Sequence, residues 1–229
     1  MYKGAIFDLF HTLTGPMITS SPHPPTSQVL GVDSAVWDEY LFHNTRNRLI
    51  GEERDPYTIV KGVAHAIDPA IPDATIRAAV RGRVRRFEDI LHAIPDENID
   101  TLKTLRGRGI KLGLISNADV MEVANWEKSP LFGLFDVEMI SCRVGMLKPE
   151  PEIYISCVER MGIRAEECLF VGDGGSGELE GARAVGMTPV LMSGMIETLY
   201  PERALAARDA CDLEIRSIPE VLELISSQF

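Results

Sequence analysis

Apolar residues recur along this chain in two spacings, as short continuous runs and as longer stretches with helical periodicity. The first short run predicts a strand over Gly4 to Asp8, and the next convincing strand is Lys111 to Ser116. In the interval between them the spacing favours helices. We expect helices over Ser34 to Leu49, from Pro56 onward and over Asp73 to His92, with a loop over Thr14 to Gly31.

After this interval strands and helices alternate. The predicted helices are Asp96 to Arg108, Asp119 to Glu127, Pro151 to Met161, Glu178 to Val185 and a last one from Pro219. The predicted strands are Lys111 to Ser116, Val137 to Cys142, Cys168 to Gly172, Thr188 to Met192 and a weak one near Leu213. Alternation with nearly continuous apolar strands is typical of an α/β fold, a Rossmann-like parallel sheet with helices on both faces.

The long helical interval predicts a second unit. Helices inserted between two neighbouring strands would form a cap over the sheet. We expect a discontinuous core of residues 1–14 and 94–229, and a helical cap domain of residues 15–93 inserted after the first strand.

Polar residues follow four of the predicted strands. They are Asp8, the pair Ser116 and Asn117, Lys148 in GMLKPEP, and Asp173 at the start of DGGSGELEGA. Ligands of open α/β sheets bind beyond the carboxyl ends of the strands. These side chains are therefore the candidates for a functional site.

Each of these side chains suits one chemical task. Asp8 could act as a nucleophile that forms a covalent intermediate, which water then hydrolyses. Ser116 could donate a hydrogen bond to a phosphoryl oxygen, and Lys148 could neutralise the developing charge. Asp8 and Asp173 at neighbouring strand ends would repel each other unless a cation lay between them. Mg²⁺, which prefers oxygen ligands, is the expected cofactor.

Four segments together, AIFDLFHT, SNA, KPEPEIY and VGDGGSGELEGA, resemble the haloacid dehalogenase superfamily of hydrolases. The resemblance covers nearly the whole chain except the cap. It implies the haloacid dehalogenase-like fold and, for its phosphatase members, an aspartyl-phosphate intermediate. It also implies that Thr12, Ser116, Asn117 and Lys148 bind substrate.

The same resemblance implies how the metal ion is held. The backbone carbonyl of Phe10 would be a ligand beside Asp8 and Asp173. Glu178 stands where relatives have a second acid in this loop. It would bind the ion directly or through a water, or it would lie at a helix start where negative charge is favourable.

Phe10 departs from the phosphatase pattern, in which the residue two places after the nucleophile is an Asp. That Asp acts as general acid and base, a contribution of roughly a hundredfold to ten thousandfold. With Phe10, turnover would depend on another donor, on a good leaving group or on a different substrate chemistry. The adjacent His11 is expected to point away from position 10, which favours a structural role.

Two other functions are compatible with these residues. The metal-independent 2-haloacid dehalogenases resemble this chain in having an aromatic residue at position 10, and they hold the substrate carboxylate with a cap arginine. Arg46, Arg48 and Arg54 are the candidates here, although Asp173 would oppose a developing halide. A binding or regulatory protein that keeps the fold without turnover is the third possibility.

Charge and composition restrict the classes of binding partner and the cellular location that we expect. The 229 residues carry a formal net charge of −11 spread along the chain, which argues against nucleic acid and anionic membranes. No apolar run approaches the roughly 20 residues of a membrane span, and the N-terminal run is too short for a signal peptide. The four cysteines show no metal-binding spacing, which favours free thiols in the cytoplasm. We expect a small phosphorylated substrate and a monomer or homodimer.

Overall fold

The computed structural model describes residues 1–15, 21–43 and 45–226. Its strands are Gly4–Phe7 (β1), Lys111–Ser116 (β2), Val137–Ile140 (β3), Cys168–Gly172 (β4), Thr188–Met192 (β5) and Leu213–Ile215 (β6). The helices before β2 are Thr26–Leu30 (α1), Ser34–His43 (α2), Arg46–Leu49 (α3), Pro56–Ile67 (α4), Asp73–His92 (α5) and Asp96–Gly107 (α6). The later helices are Ser141–Val144 (α7), Pro151–Met161 (α8), Glu178–Ala184 (α9), Ser193–Leu199 (α10), Pro201–Arg208 (α11) and Val221–Ser226 (α12).

All six strands are parallel and lie in one sheet in the order β3-β2-β1-β4-β5-β6. Side chains of β1 alternate between two apolar clusters, with Ala5 and Phe7 on one face and Ile6 on the other. Strands covered on both faces cannot tolerate polar residues in their interior, so polar groups collect where the strands end. The predicted parallel α/β sheet is confirmed.

Helices α1 to α5 lie between β1 and β2 in sequence and contain a hydrophobic cluster of their own. Its largest members include Trp37, Leu41 and Ile76. The inserted helical unit that the sequence predicts is therefore present. The domain boundaries at residues 14/15 and 93/94 stay a prediction. Among the described residues, the helices are too short or too polar to cross a membrane.

The loop expected over Thr14 to Gly31 contains a helix that the sequence did not predict. Residues 16–20 of that loop lie outside the described residues. Helix α1 follows them and ends at Gly31, whose φ of 72° is left-handed and suits glycine. The proline-rich composition before it hid this short helix.

Three other boundaries differ from the predicted elements. The helix expected over Ser34 to Leu49 is divided into α2 and α3, with residue 44 outside the described residues. In place of the helix expected from Asp119, residues 120–125 form turns, although the Asp119 carboxylate accepts the N–H groups of Met121 and Glu122 as a helix N-cap does. The strand expected to reach Cys142 ends at Ile140, because Ser141 turns to bond with the backbone of Ala118.

The segment between β5 and β6 departs most from expectation. It forms α10 and α11, neither of which was predicted. The last helix is preceded by a turn of 3₁₀-helix over Ile218–Glu220, so α12 begins two residues after Pro219. Helix α11 matters because it extends one residue, Arg203, to the candidate site.

Candidate active site

The sheet order brings the predicted polar residues together. Strand β1 lies between β2 and β4, so Asp8 after β1 has Ser116 at the end of β2 on one side and Asp173 after β4 on the other. The backbone N–H of Asp8 still donates to Val171 of β4, at 2.9 Å. The nucleophile candidate is therefore fixed at the edge of the sheet by its own backbone.

Lys148 lies between two carboxylates. Its Nζ is 2.5 Å from Asp8 Oδ1 and 2.5 Å from Glu178 Oε2, and its side chain is only 2% exposed. Burial alone would lower the pKa of Lys148, but the two carboxylates outweigh burial and raise it above its ordinary value. The ammonium is therefore charged at neutral pH and is aimed at Asp8.

Asn117 holds the lysine in place. Its Nδ2 donates to the carbonyl of Lys148 and its Oδ1 accepts the N–H of Lys148, both at 2.8 Å. This reciprocal pair joins the end of β2 to the loop after β3. Asn117 also lines the cavity in front of Asp8, so it can contact a substrate as predicted.

Three carboxylates form an acidic cluster beside the lysine. Asp8, Asp173 and Glu178 are all buried, and one ligand oxygen of each lies within 4.8 Å of the others. Burial raises the pKa of Asp8, although Lys148 acts against the rise, and burial raises the pKa of Glu178 well above its ordinary value. Burial also acts on Asp173, but contacts with His11 and the Gly175 N–H lower its pKa. A divalent cation that prefers oxygen ligands fits this donor set.

Both carboxylate oxygens of Glu178 contact hydrogen-bond donors. Oε2 contacts Lys148, and Oε1 accepts the N–H of Gly174 at 3.1 Å. Tyr154 in addition donates to the carbonyl of Glu178 at 3.0 Å. These contacts make Glu178 a positioning residue for Lys148.

Thr12 and Ser116, which are both predicted to bind substrate, differ in their hydrogen bonding. The Thr12 hydroxyl is buried and donates to Asp8 Oδ2 at 3.0 Å, so it orients the carboxylate. The Ser116 hydroxyl is fully buried and has no hydrogen-bond partner among the described residues. An unpartnered buried hydroxyl carries a free-energy penalty that a ligand oxygen would remove.

A cavity of about 470 Å³ opens in front of Asp8. Its walls include residues that the sequence did not single out, namely Phe42 from α2 and Arg203 from α11. No motif identifies either residue. Phe42 belongs to an insert without diagnostic sequence, and Arg203 belongs to a helix that the apolar pattern did not reveal.

The expectation that His11 points away from position 10 is wrong, because both side chains line this cavity. Alternation of side chains holds for extended backbone, whereas His11 has a left-handed φ of 61°. The imidazole Nδ1 lies 3.6 Å from Asp173 Oδ2. The Phe10 ring packs edge-on against Phe87 of α5, with the ring centroids 5.4 Å apart.

The arginines considered for a substrate carboxylate are engaged elsewhere, and none of them lines the cavity. Arg46 pairs with Glu150, and Arg54 donates to backbone carbonyls of Gly51 and Cys142. Arg48 is buried against Asp119, at 2.8 Å.

Two curated relatives show what the chain is similar to. It is 27% identical to a glyceraldehyde 3-phosphate phosphatase of Methanocaldococcus jannaschii, over 99% of this chain and 98% of that protein. It is 33% identical to the enzyme of the same name from Methanopyrus kandleri, over 56% of this chain and 54% of that protein. The second match spans only about half the length of the relative.

Two solved structures share the fold. A phosphatase from Thermococcus onnurineus superposes with a TM-score of 0.63 at 24% identity, covering 97% of each chain. The L-2-haloacid dehalogenase of Xanthobacter autotrophicus superposes with a TM-score of 0.68 at 19% identity, covering 100% of each chain. At these identities both similarities concern the fold alone.

Sequence family, fold and site geometry agree. The sequence profile of the haloacid dehalogenase-like hydrolases matches residues 2–186, which is most of the chain. The sheet order places the nucleophile candidate Asp8 beside Lys148 and Asp173, as the resemblance of the four motifs implies. This chain belongs to the haloacid dehalogenase-like hydrolases.

Proposed function

We propose that this hydrolase is a Mg²⁺-dependent phosphatase for a small phosphorylated metabolite and works through an aspartyl-phosphate on Asp8. The observation that carries the proposal is the buried cluster of Asp8, Asp173 and Glu178 around a single lysine. A phosphoryl group brings further negative charge into this site. An added cation makes that arrangement electrostatically more favourable. The two phosphatase relatives support the same reaction class.

Each residue of the site has its own role in the proposed reaction. Asp8 Oδ attacks phosphorus while Thr12 holds the carboxylate in place through its hydroxyl. Lys148 neutralises the nucleophile and the equatorial phosphoryl oxygens, and Ser116 donates its unpartnered hydroxyl to one of them. Mg²⁺, held by Asp8, Asp173 and the Phe10 carbonyl, with Glu178 through a water, would supply further neutralisation of the phosphoryl charge.

The dehalogenase alternative has one observation in its favour, the aromatic Phe10. Two others oppose it. Its arginine candidates do not line the cavity, and the buried carboxylate of Asp173 lies where a halide would develop negative charge. A site with three carboxylates disfavours an anionic leaving halide unless a cation is bound.

The helical insert is proposed to act as a cap. Phe42 of α2 contributes to the wall of the cavity, so closure of the insert would exclude water from the reacting groups. The predicted boundaries, 15–93 for the cap and 1–14 with 94–229 for the core, go with this role. The four cysteines are free and three of them are buried, which supports a cytoplasmic enzyme. A monomer or homodimer remains the expected assembly.

The test is a panel of phosphate esters that includes glyceraldehyde 3-phosphate, assayed with Mg²⁺ and with chelator, and with 2-chloropropionate as the control substrate. We expect phosphate release that requires Mg²⁺. Beryllium fluoride with Mg²⁺ should form an adduct visible by fluorine NMR, and Asp8→Asn should abolish it. Turnover of 2-chloropropionate in chelator, without phosphatase activity, would establish the dehalogenase function. Adduct formation without any turnover would establish the non-catalytic one.

A further inference from the structure

The leaving-group side of the cavity is apolar where a phosphatase needs a proton donor. Phe10 stands two residues after Asp8, lines the cavity and is held by its edge-on contact with Phe87. Phe42 adds a second aromatic wall, with 68% of the residue exposed. Neither ring can protonate a departing alkoxide.

The polar groups nearby are already engaged. Lys148 lies between Asp8 and Glu178, and Glu178 in turn holds Gly174. The imidazole of His11 faces Asp173. Of these groups only His11 keeps a second ring nitrogen, Nε2, and none of them stands at position 10, where the related phosphatases carry the general acid.

Arg203 supplies a positive charge instead. It lines the same cavity, its side chain is 49% exposed, and its guanidinium lies over the Tyr200 ring at 5.0 Å from the centroid. Its one hydrogen-bond partner among the described residues is Asp173 Oδ2, at the long distance of 3.5 Å. A guanidinium has five N–H donors, so most of its capacity is not used by the described residues. Planar oxyanions are its best-matched ligands.

We infer that the substrates of this site are phosphoryl compounds whose leaving group departs as a stable oxyanion, and that Arg203 binds that oxyanion. The chemical class comprises acyl phosphates, which release a carboxylate, and phosphoanhydrides, which release a phosphate. The inference rests on the proposed phosphatase function and narrows its substrate. It explains Phe10 and Arg203 together, since an acidic leaving group needs a cation and no proton.

The reaction balances without a general acid in its first step. Asp8 Oδ forms a bond to phosphorus, and the bond between phosphorus and the leaving oxygen breaks. The electron pair stays on the leaving oxygen, whose negative charge meets Arg203. Water then attacks the phosphorus of the aspartyl-phosphate, the bond to Asp8 breaks, and Asp8 recovers its carboxylate. The protons of the water pass to the phosphate product and the solvent.

The experiment compares kcat/KM with Mg²⁺ for acetyl phosphate, pyrophosphate and glycerol 3-phosphate. We expect one of the first two to exceed glycerol 3-phosphate by roughly a hundredfold to ten thousandfold, the usual contribution of a general acid. A preference for acetyl phosphate identifies an acyl phosphate, and a preference for pyrophosphate identifies an anhydride. Phe10→Asp, which restores a proton donor, should raise kcat for glycerol 3-phosphate and reduce this ratio at least tenfold.

Arg203 has its own test. Arg203→Gln should lower kcat/KM for the preferred compound by about tenfold, the strength of one charged hydrogen bond, and should lower it less for glycerol 3-phosphate, whose leaving oxygen departs as a neutral alcohol. Arg203→Lys should keep part of the activity. The control is Arg208→Gln, on the same helix but paired with Glu197 and Glu214 outside the cavity.

The outcomes separate the two proposals. Glycerol 3-phosphate turned over within tenfold of the other compounds overturns the inference and leaves the phosphatase function intact. An equal effect of Arg203→Gln on every substrate, or an equal effect of Arg208→Gln, overturns the role of Arg203. Absence of turnover of all compounds with Mg²⁺, together with absence of the beryllium fluoride adduct, overturns the phosphatase function and the inference with it.

Discussion

Two buried charge clusters, one at the active site and one beside the insert, differ in their balance of charge. At the active site, Lys148 and the partly exposed Arg203 meet three carboxylates. At the contact between insert and sheet, two guanidiniums, Arg48 and Arg83, meet two carboxylates, Asp119 and Glu122. With every group ionised, the first cluster keeps one excess negative charge, whereas the second is neutral overall.

The difference in charge balance indicates that the two clusters have different roles. A neutral buried cluster is complete without a ligand, and this one joins α3 and α5 of the insert to the loop that follows Asn117. Burial raises the pKa of Glu122, with Asp119 adding to the rise and both arginines opposing it. An unbalanced buried cluster is stabilised by an added cation, and perturbed carboxyl groups in a cavity mark functional sites. The first cluster is suited to binding and the second to holding the insert in place.

The largest effect should follow from removing the nucleophile. Asp8→Asn should lower kcat by roughly 10⁴-fold or more, because no covalent intermediate can form. Its thermal unfolding midpoint should not fall, since the change removes one of three crowded carboxylates. Steady-state kinetics and a thermal melt measure both. A variant that kept a tenth of the activity would show that Asp8 is not the nucleophile.

Breaking the balanced cluster should affect stability instead. Arg83→Met leaves Glu122 without its guanidinium at 2.5 Å, and breaking a buried ion pair costs about 3–5 kcal/mol of unfolding free energy. Denaturant unfolding measures this loss. Arg85→Met, at an exposed position of the same helix, is the matched control and should change stability by less than about 0.5 kcal/mol. Equal losses of unfolding free energy in both variants would show that the buried ion pair of Arg83 does not hold the insert in place.

Mg²⁺ should stabilise the unbalanced cluster and not the balanced one. At a concentration a hundred times its dissociation constant, a ligand of the folded state adds about 2.7 kcal/mol. We expect Mg²⁺ to raise the thermal unfolding midpoint of the wild-type protein and of Arg83→Met. In Asp173→Asn the rise should be much smaller. An undiminished rise in Asp173→Asn would place the ion elsewhere.

The smallest effect concerns pH. Glu178 has a pKa raised by burial, so in metal-free protein the folded state keeps a proton that the unfolded state releases above its ordinary pKa of about 4.5. The stability that this group contributes is complete below that value. Between the ordinary pKa and the raised pKa of the folded protein, this contribution to stability falls by about 1.4 kcal/mol for each pH unit. Unfolding in chelator between pH 4 and 7 should show a shallower decline for Glu178→Gln than for the wild type. Identical slopes would contradict a raised pKa.

Much of the fold could be predicted because its signals are local. The strands Lys111–Ser116, Cys168–Gly172 and Thr188–Met192 and the helices Asp73–His92 and Pro151–Met161 have the predicted bounds. Each combines a clear apolar pattern with a recognisable end. The turns after Asp119 were missed, because Asp119 and Glu122 form the same side chain–backbone hydrogen bonds as residues at a helix start.

The residues of the candidate site also divide into those that could be predicted from the sequence and those that could not. Asp8, Lys148 and Asp173 follow apolar strands, so their shared location could be expected from sequence alone, and the structure brings them together. Arg203 and Phe42 could not be found in this way. They come from helices distant in sequence, and no motif marks a residue that reaches a cavity only through packing.

The sequence by itself determined the family, the parallel sheet and the polar residues at its edge, because short apolar strands and strand-end motifs are written in consecutive residues. Tertiary structure alone decided that Asn117 clamps Lys148 and that His11 turns toward Asp173. It also decided that Arg48 pairs with Asp119 while Arg203 faces the cavity. Which charges meet depends on how helices far apart in the chain pack, and that packing energy is non-local.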